Sequence, residues 1–183
     1  MDEYIDLLDP NGKPLGKTAP KSEVHRKGYY HNTAHLWFYT PSKELLLAQR
    51  AATKTICPLL WDVSVAGHVD AGETVTQAAV RETFEEIGLV ISPEKLQKIG
   101  VFPCFQEYPN GSKDYEFHHT FLVPLSVPVE TLKPNPDEVA ALKLVNLNTF
   151  GKLLAQSASN GHFVASNTPY YNTVVQALRS LQL

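Results

Sequence analysis

The stretch that decides the fold runs from Gly67 to Leu89, GHVDAGETVTQAAVRETFEEIGL. Thr74 stands where an N-cap is preferred and Gly88 where a C′ glycine ends a helix, so the pattern predicts a helix from about Thr74 to Ile87. On a helical wheel Val80, Phe84 and Ile87 share one side, the expected core-facing stripe. Glu82, Glu85 and Glu86 share the opposite side. Like charges three and four residues apart oppose each other by a few tenths of a kcal/mol per pair. They also crowd the C-terminal half, where the helix dipole disfavours negative charge. The cluster is therefore badly placed for helix stability alone. A hard divalent cation relieves both problems, because Mg²⁺ takes oxygen ligands and shares its shell with substrate phosphates. Taken in isolation, such a string is usually a solvated acidic face; the flanking residues change that reading.

Gly67 is followed six positions later by Glu73, and Arg81-Glu82 comes eight positions after that; Glu85-Glu86 and Gly88-Leu89 complete the pattern. This resembles, position for position, the signature of the Nudix hydrolase family, G-x5-E-x7-R-E-U-x-E-E-x-G-U, in which U is bulky and usually aliphatic. Thr83 is the one soft position, β-branched but polar. The resemblance implies an α/β (α+β) fold, a helix–sheet–helix sandwich with a mixed central sheet, over one domain spanning residues 1–183. It implies one or more Mg²⁺ or Mn²⁺ ions held by Glu82, Glu85 and Glu86, with Glu82 and Glu85 catalytic. Gly67 would allow close backbone approach to metal or phosphate, having no Cβ. Arg81 and Glu73 would pair to hold the loop, and Gly88 would end the helix. The implied reaction is hydrolysis of a diphosphate bond in a small molecule, nucleotide or other organic diphosphate, by attack of activated water at phosphorus. Glu82, Glu116 and Glu138 are candidate bases.

A second resemblance covers Leu45 to Glu73, LLLAQRAATKTICPLLWDVSVAGHVDAGE. It is similar to the type I isopentenyl-diphosphate isomerases, which share the Nudix fold. The order apolar strand, Arg, three residues, Lys, then Trp before Ser-x-x-Gly-His is common to both. It implies that Arg50 and Lys54 contact a diphosphate; otherwise they read as exposed strand-end cations. The isomerase metal site uses histidines and glutamates from outside the helix, and His68 and Glu116 match it in part. His25 and His31 lie near the corresponding histidines, shifted by a residue. The isomerase nucleophile is a Cys directly before Gly-His. Here that position is Ala66, and Cys57 lies too far back to replace it. The chain is isomerase-like in scaffold and hydrolase-like in chemistry. An isomerase and a non-catalytic nucleotide-binding Nudix module are the alternatives; the intact carboxylate set argues against the latter.

Outside the motif, Tyr4–Leu8 reads as a strand before the turn Asp9-Pro10-Asn11-Gly12. His35–Tyr39 and Leu45–Arg50 flank a turn at residues 40–43, and Ile99–Glu107 and Tyr115–Val123 flank Pro109-Asn110-Gly111, so two hairpins are expected. Trp61–Ala66 and Ala141–Leu147 read as strands. Asn148 is expected to cap a helix to about Gln156, and Thr168-Pro169 to open a final helix. His118 and His119 fall on opposite strand faces. Trp37, Tyr39, Trp61, Phe105 and Tyr108 are aromatics available for stacking a base, although one face of the Trp37–Tyr39 strand must be core.

The 183 residues carry a net charge of −3, with 16 Lys and Arg scattered among 19 Asp and Glu. That balance excludes an electrostatic grip on bulk nucleic acid. Two cysteines, Cys57 and Cys104, make no disulfide framework and suit a reducing compartment. The acidic N-terminus has no apolar signal core, and no apolar run approaches the roughly 18 residues of a membrane helix. A cytoplasmic protein with a small-molecule diphosphate as its ligand is expected. Family members often pair as homodimers, but no residue pattern here demands it.

Overall fold

His31–Tyr39 is apolar on both sides: Ala34, Leu36 and Phe38 alternate with Trp37 and Tyr39, and all five are buried. A strand of this kind has to lie between two layers. In the computed structural model, which describes residues 3–160 and 168–182, it is the middle of a three-layer arrangement. The strands are β1 (Tyr4–Leu8), β2 (Pro14–Pro20), β3 (His31–Tyr39), β4 (Leu45–Arg50), β5 (Trp61–Asp62), β6 (Val65–His68), β7 (Gln97–Glu107), β8 (Lys113–Pro124) and β9 (Val139–Val145). The helices are α1 (Lys21–Lys27), α2 (Val75–Ile87), α3 (Leu147–Ala155), a single turn α4 (Ser157–Asn160) and α5 (Thr168–Ser180). A seven-stranded sheet runs β5-β4-β3-β8-β7, with β6 on β3 and β9 on β4; β1 and β2 form a separate ribbon. The β3–β8 pair is parallel, and the other ladders are antiparallel. The expected mixed central sheet between helices is the fold observed.

One layer packs α2 against Ala34, Leu36, Phe38, Leu46 and Val65. The other packs α3 and α5, through Phe150, Tyr170, Tyr171, Val174 and Leu178, against Trp37, Tyr39, Leu45 and Leu47. Both faces of the Trp37–Tyr39 strand are thus core, which removes Trp37 and Tyr39 as base-stacking surfaces. Trp61 instead lies under the Lys143 ammonium, 3.8 Å from its ring centroid.

The helix α2 begins in the expected way: Thr74 and Gln77 form a reciprocal capping box, and Gly88 closes the helix at φ 68°. The expected apolar stripe is corrected. Phe84 is 59% exposed, while Ala78, Ala79, Thr83, Glu86 and Ile87 are buried. Small residues let the helix approach the sheet closely, and Thr83 is accommodated because its hydroxyl donates to the Ala79 carbonyl at 2.7 Å. Other boundaries shift. Asn146, not Asn148, caps α3 by accepting from the Thr149 amide. Trp61–Ala66 is two short strands rather than one, and the last strand begins at Val139. The expected cap at Thr168 rests on a side chain outside the described residues. Both cysteines are free.

Candidate active site

The carboxylates of α2 meet the sheet at Gly67. A Cβ built on Gly67 would overlap the Cγ, Cδ and Oε1 atoms of Glu82, so only glycine lets that side chain cross the strand backbone. Arg81 braces the arrangement. Its Nε and Nη2 donate to Glu73 at 3.1 and 2.9 Å, Nη2 also donates to the His68 carbonyl at 2.9 Å, and Nη1 reaches Glu82 and Glu85 at 2.8 and 3.0 Å. Burial raises Glu82 to about 6 against the pull of Arg81. Burial, then the charges of Glu82 and Glu138, hold Glu86 well above the ordinary carboxylate range. Glu85 is half exposed.

A second group lies on the sheet floor. Period 2 puts His31, Thr33 and His35 of β3 on one face, and the parallel register sets Glu116 beside His31 and His118 beside Thr33. Antiparallel pairing places His68 on the other side of Thr33. His25 reaches in from α1. The ligand atoms of His25, His31 and His68 lie within 4.8 Å of one another. His31 donates Nδ1–H to the Tyr29 carbonyl at 2.9 Å, and His25 Nδ1 contacts Asp114 at 2.8 Å. These contacts turn both Nε2 atoms inward; His25 Nε2 stands 3.1 Å from His68 Nε2. Fully buried His31 Nε2 has no hydrogen-bond partner. Imidazoles anchored through one nitrogen with the other left free are what metal ligation requires. Glu116 Oε1 stands 3.5 Å from His31 and 3.8 Å from His68, while Oε2 accepts from His118 Nε2 at 2.8 Å.

The electrostatics separate the histidines. Burial pushes His68 well below the ordinary value, so it is neutral near pH 7. Burial and the neighbouring His118 do the same to His35. For His118, burial is outweighed by Cys104 and Glu116, and it is raised to about 9. Burial opposes the ionised form of Glu116, but His118 and His31 overturn this and hold it well below the usual range. The rings of His35 and His118 stack, with centroids 3.8 Å apart and planes at 19°. One nitrogen of each ring and a Glu116 carboxylate oxygen nevertheless lie within 4.8 Å of one another, so His35, Glu116 and His118 are a second convergent group beside His25, His31 and His68.

Arg50 and Lys54 face the same cavity, which has a volume of about 720 Å³ and is lined by Glu82, Glu85, Glu86, His68, Glu116 and Glu138 among others. Lys54 is paired with Glu138. Arg50 donates Nε–H to the Ile56 carbonyl at 3.1 Å and stands 3.6 Å from Asp62. The cavity thus brings together Gly67, the three helix glutamates, both cations, Glu116, Glu138 and His68. Glu73, Arg81 and Gly88 lie outside it, as supports. Phe105 is not in its lining; Tyr108 is. Sequence reasoning did not single out Thr33, His35, Asp62 or Tyr170, all of which line it. A polar residue at every second position of His31–His35, against Ala34 and Leu36, was the available signal for the first two.

A NUDIX domain model matches residues 29–166. Nudix hydrolase 3 of Arabidopsis thaliana is 34% identical over 161 residues; the match takes in 85% of this chain but only 21% of that protein's length. Isopentenyl-diphosphate Delta-isomerase 2 of Photorhabdus laumondii is 35% identical over 148 residues, covering 80% of this chain and 79% of the relative. The solved structure of DR0079 from Deinococcus radiodurans superposes with a TM-score of 0.69 at 18% identity, covering 99% of this chain and all of that one. At that identity the likeness speaks for the fold.

Proposed function

The chain belongs to the Nudix family, and from that premise we propose that it is a divalent-metal-dependent hydrolase of a small-molecule diphosphate. One observation carries the reading: Glu82, Glu85 and Glu86 line a single cavity together with Arg50 and Lys54. Carboxylate oxygens and cations in one cavity match a diphosphate bound with a hard divalent cation, which brings positive and negative charge together. The residues fit the metal. The Gly67 cradle admits Glu82, and Glu82 and Glu86 are buried carboxylates held above the ordinary range, Glu82 in spite of its pairing with Arg81. Glu82, Glu85 and Glu86 would hold Mg²⁺ through oxygen. His25, His31, His68 and Glu116 form a mixed nitrogen–oxygen set suited to a divalent transition ion.

A bound divalent cation draws charge from the phosphate oxygens and makes water easier to deprotonate. Arg50 and Lys54 neutralise and orient the diphosphate, Lys54 leaving Glu138 to do so. Glu82 takes the proton from the attacking water, whose oxygen bonds to phosphorus as the bridging P–O bond breaks. Released Glu138 and nearby Glu116 are the other bases within the cavity. The leaving phosphate takes its proton from solvent. Phosphate release from a diphosphate panel, with Mg²⁺ and with chelator, tests the reading; Glu85→Gln is expected to abolish release. Release that survives both treatments would refute it.

A second reading has its own support, because the His25–His31–His68–Glu116 group stands where the isomerase resemblance places a metal. An isomerase of prenyl diphosphates nevertheless needs its thiol before Gly67, and Ala66 supplies none. Nothing in the cavity requires a membrane, and no described helix is long and apolar enough to cross one.

A further inference from the structure

Glu116 faces two ways. Its Oε1 stands 3.5 Å from His31 Nε2 and 3.8 Å from His68 Nε2, while Oε2 accepts from His118 Nε2 at 2.8 Å. The first direction leads to His25, His31 and His68. The second leads to His118 and His35, and a nitrogen of each lies with a Glu116 oxygen inside a span of 4.8 Å. Both groups line up because β3 and β8 are parallel and in register, with Glu116 beside His31 and His118 beside Thr33.

The His35–His118 group is built like its neighbour. His35 Nδ1 is engaged by the Tyr170 hydroxyl at 3.0 Å, and that hydroxyl is fixed in turn by the Trp37 indole N–H at 2.8 Å. Nε2 is then the nitrogen His35 has to offer. Cys104, the cross-strand partner of Glu116, contacts His118 through its thiol, and His118 turns Nε2 to Glu116. Imidazoles fixed through one side with a nitrogen left to give are prepared for metal ligation. All three side chains line the cavity, so an ion can reach them.

We propose that Glu116 bridges two divalent transition ions, one on His25, His31 and His68 and a second on His35 and His118. The inference goes beyond the hydrolase reading, which needs only the α2 glutamates. A carboxylate whose two oxygens address separate imidazole groups is placed to bridge, and imidazole with carboxylate suits Zn²⁺ or Co²⁺ rather than Mg²⁺. Bonds of roughly 2.1 Å require the stacked His35 and His118 rings to tilt toward a common point. Ala66, the partner of His35 on β6, puts only a methyl group beside them. Two imidazoles and one carboxylate leave the second ion with open positions for water or a phosphate oxygen.

The test is a Co²⁺ titration of the full chain in excess Mg²⁺, which fills the all-oxygen site on α2 and is spectroscopically silent. Retained Co²⁺ is counted after gel filtration. The wild type is expected to keep two equivalents, and His35→Gln and His31→Gln to keep one each; melting temperature checks that both variants fold. Glu116→Gln is expected to weaken both ions by about 10- to 100-fold. A further readout needs no variant: the Co²⁺ EPR signal per ion should fall as the second equivalent binds, because bridged ions couple magnetically. A wild type that keeps fewer than two equivalents, a folded His35→Gln that still keeps two, or an EPR signal that grows in proportion to bound Co²⁺ overturns the bridged pair. None of these readouts measures phosphate release, so failure of the hydrolase reading would be seen separately.

Discussion

The Glu82 carboxylate occupies the space that a side chain on Gly67 would fill. The invading atoms belong to the far end of a flexible side chain, so the clash in Gly67→Ala is relieved by moving Glu82 rather than the strand. The variant is expected to fold, with a small change in melting temperature. Displaced Glu82 no longer meets the cation, and Mg²⁺ affinity is expected to fall by about 10- to 100-fold, read by calorimetry. Unchanged affinity would show that Glu82 is not a ligand.

Glu82 also sets a pH dependence. Its folded value, about 6, lies above the ordinary 4.5. The folded chain therefore keeps this proton where the unfolded chain has lost it. The associated stability is present below about pH 4.5 and is lost as pH rises through 6, on the order of 2 kcal/mol in total. In chelator, melting temperature is expected to drop across this window more than it does in saturating Mg²⁺, which favours the ionised carboxylate. Glu82→Gln is expected to narrow the difference between the two curves, the remainder belonging to Glu86, which burial also raises.

Lys54 and Glu138 are partly exposed partners, so their ion pair contributes less than about 1 kcal/mol to stability. Lys54→Met is expected to leave the melting temperature nearly unchanged. Pyrophosphate affinity in Mg²⁺ should fall by about tenfold through loss of a charged phosphate contact. An affinity equal to that of the wild type would mean that Lys54 serves only Glu138.

Ala66 offers no thiol to a prenyl substrate. Incubation with isopentenyl diphosphate in D₂O is expected to give neither dimethylallyl diphosphate nor deuterium incorporation, as followed by NMR. Exchange at a rate above the buffer background would restore the isomerase reading.

The glutamates of α2 were legible in the sequence because they sit at fixed local spacing on one helix, where i, i+3 and i+4 geometry alone brings them together. The Thr74 cap, the Gly88 stop and both hairpins were legible for the same reason: each depends on a few adjacent residues. The buried face of that helix was misjudged. Wheel geometry places Phe84 with Val80 and Ile87, but close approach to the sheet favours Ala79 and Thr83, and the wheel carries no information about the distance to the next layer. The short helix α1 and strand β2 went unread, since Pro14–Lys27 has no sustained periodicity of either kind.

By itself, then, the chain determined the family motif, the carboxylate cluster of α2 and the layered fold, all of which follow from local spacing and alternation. Only the tertiary structure decided which distant groups share the cavity. His25, His31 and His68 converge from a helix and two strands, Lys54 finds Glu138, and Thr33 finds His118. Those meetings depend on strand register, and a register shift of one residue would turn every one of the floor side chains to the opposite face of the sheet.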